Sequence, residues 1–105
     1  AVRITVPEVR GPLAKPTPLT PQTLKPVEKL ADEIFPGVPV IPILAAGATD
    51  AQFLNPVGIP TYGISGFFVG SDLGNAHGLN KRISVKSVYE GRMFLYRLMK
   101  IYADQ

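Results

Sequence analysis

The sequence predicts an α/β fold: a partial open sheet with flanking helices. Three observations carry that expectation. Two short runs, Val38 to Leu44 and Ile59 to Ile64, are apolar and rich in β-branched residues, as buried strands are. Two longer segments, one ending near Ile34 and one filling the last twenty residues, repeat apolar side chains at helical spacing. The two kinds of segment alternate along the chain, the order expected of crossover connections.

Taken in order, Ala1 to Val6 alternates in the strand manner, with Val2, Ile4 and Val6 on one face. Pro7 closes it, and Pro12, Pro16, Pro18 and Pro21 make the next stretch an extended linker. Thr20 followed by Pro21 signals a helix start: a hydroxyl for the orphan amides, then proline at the first helical position. Leu24, Val27, Leu30, Ala31 and Ile34 keep helical spacing until Phe35-Pro36-Gly37. Pro26 inside this span predicts a kink or a later start. In the first strand candidate, Pro39 and Pro42 argue for an irregular or edge position. Thr49 and Gln52 have capping-box spacing for a short helix, and Gly63 in the second strand candidate suggests a close backbone approach. Ser65 to Asn80 is a long Gly-rich loop. Ser84 caps a final helix reaching about Ala103, its apolar arc of Val88, Tyr89, Leu95, Tyr96, Met99 and Tyr102 widened by Phe94, Leu98 and Ile101. An arc that broad predicts packing on two sides.

Composition narrows the function. The chain has 105 residues, no Cys and one His, which excludes a disulfide framework, a cysteine nucleophile and a His-rich metal site built by this chain alone. The net charge is +3, and the basic excess sits in the last quarter, too sparse for a nucleic-acid surface or a membrane-binding helix. No apolar run has membrane-spanning length, so a soluble chain is expected and its compartment stays open. Every proline falls at or before Pro60, and seven of the ten glycines lie between Gly47 and Gly78, around the loops that follow the two strand candidates. In an open α/β sheet such loops are where ligands bind. The first, Gly47 to Gln52, places small residues before a helix start, an arrangement equally suited to an anion and to a plain capped helix. The second, Asn75 to Ile83, holds His77 with Asn80 and Arg82, residue types that could orient a substrate.

The runs GATDAQF at 47–53, GIPTYGISG at 58–66 and HGLNKRI at 77–83, preceded by Pro39-Val40-Ile41-Pro42 and followed by a helix, form an ordered set. That set resembles the C-terminal end of the dizinc metallopeptidases that include carboxypeptidase S-like enzymes, glutamate carboxypeptidase, aminoacylase, desuccinylases and carnosinases, family twenty of the metallopeptidases. The likeness covers about residues 19–103. It implies a zinc-dependent enzyme cleaving an amide bond next to a free carboxylate, in a dipeptide, a C-terminal residue or an N-acyl amino acid. It implies that His77 ligates one of two zinc ions, and that Gly47, Thr49, Asp50, Asn80 and Arg82 contact the substrate. It also implies three parts: 1–11 as the end of a lid or dimerisation strand, 12–20 as the crossing back, and 21–105 as the C-terminal part of the catalytic domain. The remaining zinc ligands and the general base would come from an N-terminal half that is not in this chain. The isolated chain is then expected to hold no catalytic zinc, to hydrolyse nothing, and to self-associate through its uncovered apolar surfaces. Two positions depart from the family pattern: Lys81 replaces a glutamate beside the motif histidine, and Gln52 stands where many members have arginine. The rival reading is a non-catalytic α/β interaction module, or a degenerate family member, in which the motifs survive only as packing.

Overall fold

The computed structural model describes residues 2, 15–44, 47–69 and 78–104. The expected strand at Ala1 to Val6 and most of the proline-rich linker lie outside those residues. The regular elements are α1 (Pro21–Ile34), α2 (Ala51–Leu54) running into a 3₁₀ turn (Asn55–Val57), and α3 (Val85–Ala103).

The two long helices begin and end where local chemistry directs. Thr20 and Thr23 cap α1 reciprocally. The Thr23 N–H donates to Thr20 Oγ1 at 3.3 Å, and the Thr20 N–H donates to Thr23 Oγ1 at 3.1 Å. Pro21 occupies the first turn, where a missing N–H costs nothing. Pro26 does not delay the start: α1 runs through it. Phe35 closes the helix through its N–H to the Ala31 carbonyl at 2.7 Å, and Gly37 takes the left-handed conformation at φ 78° that favours glycine. In α3, Ser84 accepts the Ser87 N–H at 3.1 Å, the expected cap.

No strand occurs among the described residues, which corrects the expectation of a partial open sheet. The reason is visible in the hydrogen bonds. Pro39 and Pro42 have no N–H to give, and the Val38 N–H closes a turn to the Phe35 carbonyl at 3.0 Å. In the second candidate, the Ile59 N–H goes to the Leu54 carbonyl and the Thr61 N–H to Asn55 Oδ1 at 2.9 Å. The Thr61 carbonyl accepts the Thr17 hydroxyl at 3.2 Å. Groups that a ladder would use are spent on local turns and loop contacts. Gly63 makes no close approach either: a Cβ there would meet nothing within 4 Å among the described residues.

The chain divides into two compact units. The first comprises Ala1–Pro18 and Leu44–Tyr62, and the second Leu19–Ile43 and Gly63–Gln105. In the first, the described part of the linker is held by the Thr17 bond and by the Tyr62 hydroxyl, which donates to the Pro18 carbonyl at 2.7 Å. The second contains the core of the described residues, Leu30 and Ala31 of α1 against Phe94 and Leu98 of α3, with Val27, Ile34, Val40, Leu95 and Ile101 packed around it. Each large apolar side chain buried this way contributes about 1.5–3 kcal/mol. The arc of α3 is used differently from the expectation. Phe94 and Leu98 are its centre, whereas Tyr89, Tyr96 and Met99 are about two-thirds exposed. Arg97 pairs with Glu33 between the two helices, and the Tyr102 hydroxyl donates to the Thr23 carbonyl. The pair is half-exposed, so its contribution is at most about 1 kcal/mol.

Candidate functional site

The first unit carries GATDAQF and the opening GIPTY of the second motif, and Asn55 joins the two. α2 is a single turn whose amides are already engaged. The Ala51 N–H donates to Thr49 Oγ1 at 3.3 Å, the Gln52 N–H to the Thr49 carbonyl at 3.1 Å, and the Phe53 and Leu54 N–H groups to the Asp50 carbonyl at 3.0 and 3.2 Å. The cap is Asp50 in helical conformation with no side-chain bond, so the expected Thr49–Gln52 capping box does not form. Gly58 then reverses the chain in the left-handed region at φ 85°, with its N–H on the Asn55 carbonyl at 3.1 Å. The Asn55 side chain accepts from Thr61, which ties the turn after GATDAQF to GIPTY. Gly47, Thr49 and Asp50 are all exposed, and a Cβ at Gly47 would meet nothing within 4 Å. Packing within the described residues therefore does not demand glycine there.

The second unit carries the third motif. His77 lies outside the described residues, together with 70–76. Gly78 to Asn80 form a turn in which Asn80 adopts φ 59°. That conformation strains most side chains, but asparagine tolerates it better than other non-glycine residues. Lys81, Arg82 and Ile83 follow, exposed, directly before the Ser84 cap. The segment that leads toward 70–77 is clamped onto α3. The buried Ser87 hydroxyl donates to the Phe68 carbonyl at 2.7 Å, and Phe35 meets Phe68 edge-on with centroids 4.3 Å apart. Gly66 and Gly91 complete the clamp: a Cβ on Gly66 would lie 2.6 Å from Phe94 Cδ1, and one on Gly91 would strike the Phe67 ring.

The sequence-predicted substrate residues thus fall in both units, Gly47, Thr49 and Asp50 in the first and Asn80 and Arg82 in the second. Asn55, Ser87 and Gly91 hold the motifs in place without having stood out in the sequence. The Asn55-Pro56 dipeptide is a turn signal that could have marked the first. A lone serine and glycine inside a helical run hint at a close approach without naming the partner.

Among the described residues no three His, Cys, Asp or Glu side chains come together as a metal-holding group. No helix among the described residues is long and apolar enough to cross a membrane.

A hydrolase-type peptidase module is the class that these motifs define. Residues 2–101 match the family described as Peptidase family M20/M25/M40, and the chain belongs to that family of metallopeptidase-type hydrolases. No curated protein and no solved structure matches the chain significantly.

Proposed function

We propose that the chain supplies one portion of the active site of a zinc-dependent amidohydrolase that cleaves an amide bond beside a free carboxylate. Substrates of that kind are dipeptides, C-terminal residues of peptides and N-acyl amino acids. His77 ligates one of two zinc ions; the other ligands and the general base come from protein outside residues 1–105, so this chain alone is inactive. Bound zinc would polarise the scissile carbonyl and lower the pKa of an attacking water. Gly47, Thr49, Asp50, Asn80 and Arg82 contact the substrate, as the resemblance to the family implies.

The observation that carries the reading is the family match over 2–101, within which the three motifs occur in order. Donor arithmetic supports the need for further ligands: one His and no Cys in 105 residues cannot supply two zinc ions with nitrogen and sulfur donors. The first-turn amides of α2 are used internally, so the loop's offer to a substrate is the Thr49 hydroxyl rather than a helix terminus.

The test is a kinetic comparison in the polypeptide that joins this chain to its remaining ligands. Substrates ending in a carboxylate are compared with their carboxamide counterparts. Thr49→Ala is expected to raise KM for the carboxylate series about tenfold with little change in kcat, the loss of one hydrogen bond to a charged group. Equal turnover of carboxylate and carboxamide substrates contradicts the proposed specificity.

A further inference from the structure

α3 carries apolar side chains on two opposite faces. One, centred on Phe94 and Leu98, packs on α1 and forms the core. The other is open: Val85, Tyr89, Tyr96 and Met99 are each 64–71% exposed. With Arg92 and Ala103, also exposed, they recur at alternating steps of four and three residues. That is the spacing of a seam between two paired helices. At 1.5 Å per residue the seam is about 27 Å long.

The residue types say what kind of surface covers it. Arg92 stands in the middle of the seam, with no acid three or four residues away on either side and no ion pair among the described residues. A face that belongs in a domain interior does not centre on an unpaired arginine. Tyrosine, methionine and arginine together are enriched where two finished protein surfaces meet.

Their order along the seam selects a second copy of the same helix running the other way. Antiparallel pairing sets Val85 opposite Ala103, Tyr89 opposite Met99 and Arg92 opposite Tyr96 of the other copy, each twice about a two-fold axis. Arg92 then meets an aromatic face. Lys100 of the same chain takes one side of the Tyr96 ring, 5.8 Å from its centroid, and the second side is left for Arg92. At each end of the seam Lys86 and Glu90 of one copy meet Lys100 and Asp104 of the other, two charges of each sign. Parallel pairing instead sets Arg92 against Arg92, where like charges repel.

We propose that this chain forms a symmetric dimer through the exposed face of α3, with the two helices antiparallel and Arg92 stacked on Tyr96 of the other copy. The dimer is independent of the zinc-peptidase reading and stands or falls separately from it. A single helix pair of this length lies at the low end of interface sizes, so association in the micromolar range is expected.

Because the sequence has no cysteine, introduced ones report the pairing directly. Full chains carrying Val85→Cys are mixed with chains carrying Ala103→Cys and oxidised. The mixed disulfide is expected to predominate, and predominant self-cross-linking of Val85→Cys, or no cross-linking, overturns the proposal. In sedimentation equilibrium Tyr96→Ala is expected to weaken dimerisation about tenfold, since its ring contact is lost twice per dimer, with helical circular dichroism kept. Ile43→Ser, 85% exposed and outside the helices, is expected to leave dimerisation unchanged. Equal weakening by Ile43→Ser assigns the association to apolar exposure in general and overturns the proposal. The cysteine pair is also placed in the polypeptide that joins this chain to its remaining zinc donors. Loss of cross-linking there assigns the face to the rest of that polypeptide and overturns the proposal as well. The cysteine variants alter only exposed positions, so the test does not depend on a destabilised variant folding.

Discussion

At Gly91 the helix backbone lies so close to the Phe67 ring that a methyl group has no room, and at Gly66 the ring of Phe94 closes the space in the same way. Phe94 is itself 3% exposed and sits in the α1–α3 core, so it cannot swing aside without opening that core. Gly66 adds a left-handed φ of 63°, which most residues with a β-carbon adopt only at a cost. Gly91→Ala is expected to destabilise the second unit by about 1–3 kcal/mol through overpacking, read as a lower denaturant midpoint. Gly47→Ala, where nothing crowds the added carbon, should leave the midpoint within about 0.5 kcal/mol of the parent. Indistinguishable midpoints for the two variants would show that Phe67 does not pack on α3 as described. Neither close approach was legible in the sequence, because the partner of each glycine lies more than twenty residues away.

The elements divide by how local their causes are. α1 and α3 were legible because their start signals, Thr20-Pro21 and Ser84, act within three residues, and the reciprocal Thr20–Thr23 bonds need nothing from the rest of the chain. The strands were not legible. A run such as Val38 to Leu44 announces apolarity and β-branching, but pairing depends on a distant edge with free donors, and here Asn55 takes the donor of Thr61. α2 shows the same limit on a smaller scale: Thr49 bonds the Ala51 amide, one residue earlier than a capping box requires. The boundaries of α1 support a paired test. Thr20→Ala should reduce stability by about 1 kcal/mol through loss of the cap. Pro26→Ala should raise it, because the substitution restores an N–H for the Gln22 carbonyl four residues back. Thermal unfolding followed by far-ultraviolet circular dichroism checks both, and a neutral Thr20→Ala would mean that α1 begins elsewhere.

At the scale of the whole molecule, the family was legible in the sequence, and the candidate site was legible only as motif positions, because its histidine lies outside the described residues. GATDAQF, GIPTYGISG and HGLNKRI identify the chain as a family member by their order, and the match over 2–101 agrees. Composition alone gave no such indication, since a single histidine carries no spacing pattern. Many large apolar side chains remain exposed, among them Ile41, Ile43, Leu44, Phe53, Tyr89, Tyr96 and Met99. Surfaces of that kind drive association. Light scattering of the isolated chain is therefore expected to give a mass that rises with concentration, and a monodisperse monomer at all concentrations would contradict it. The central claim is that His77 is a metal ligand completed by donors outside this chain. Zinc content per polypeptide, measured in the protein that joins the chain to those donors, tests it most directly. Two zinc ions are expected in the parent and fewer in His77→Ala, while unchanged zinc content in that variant would contradict the claim.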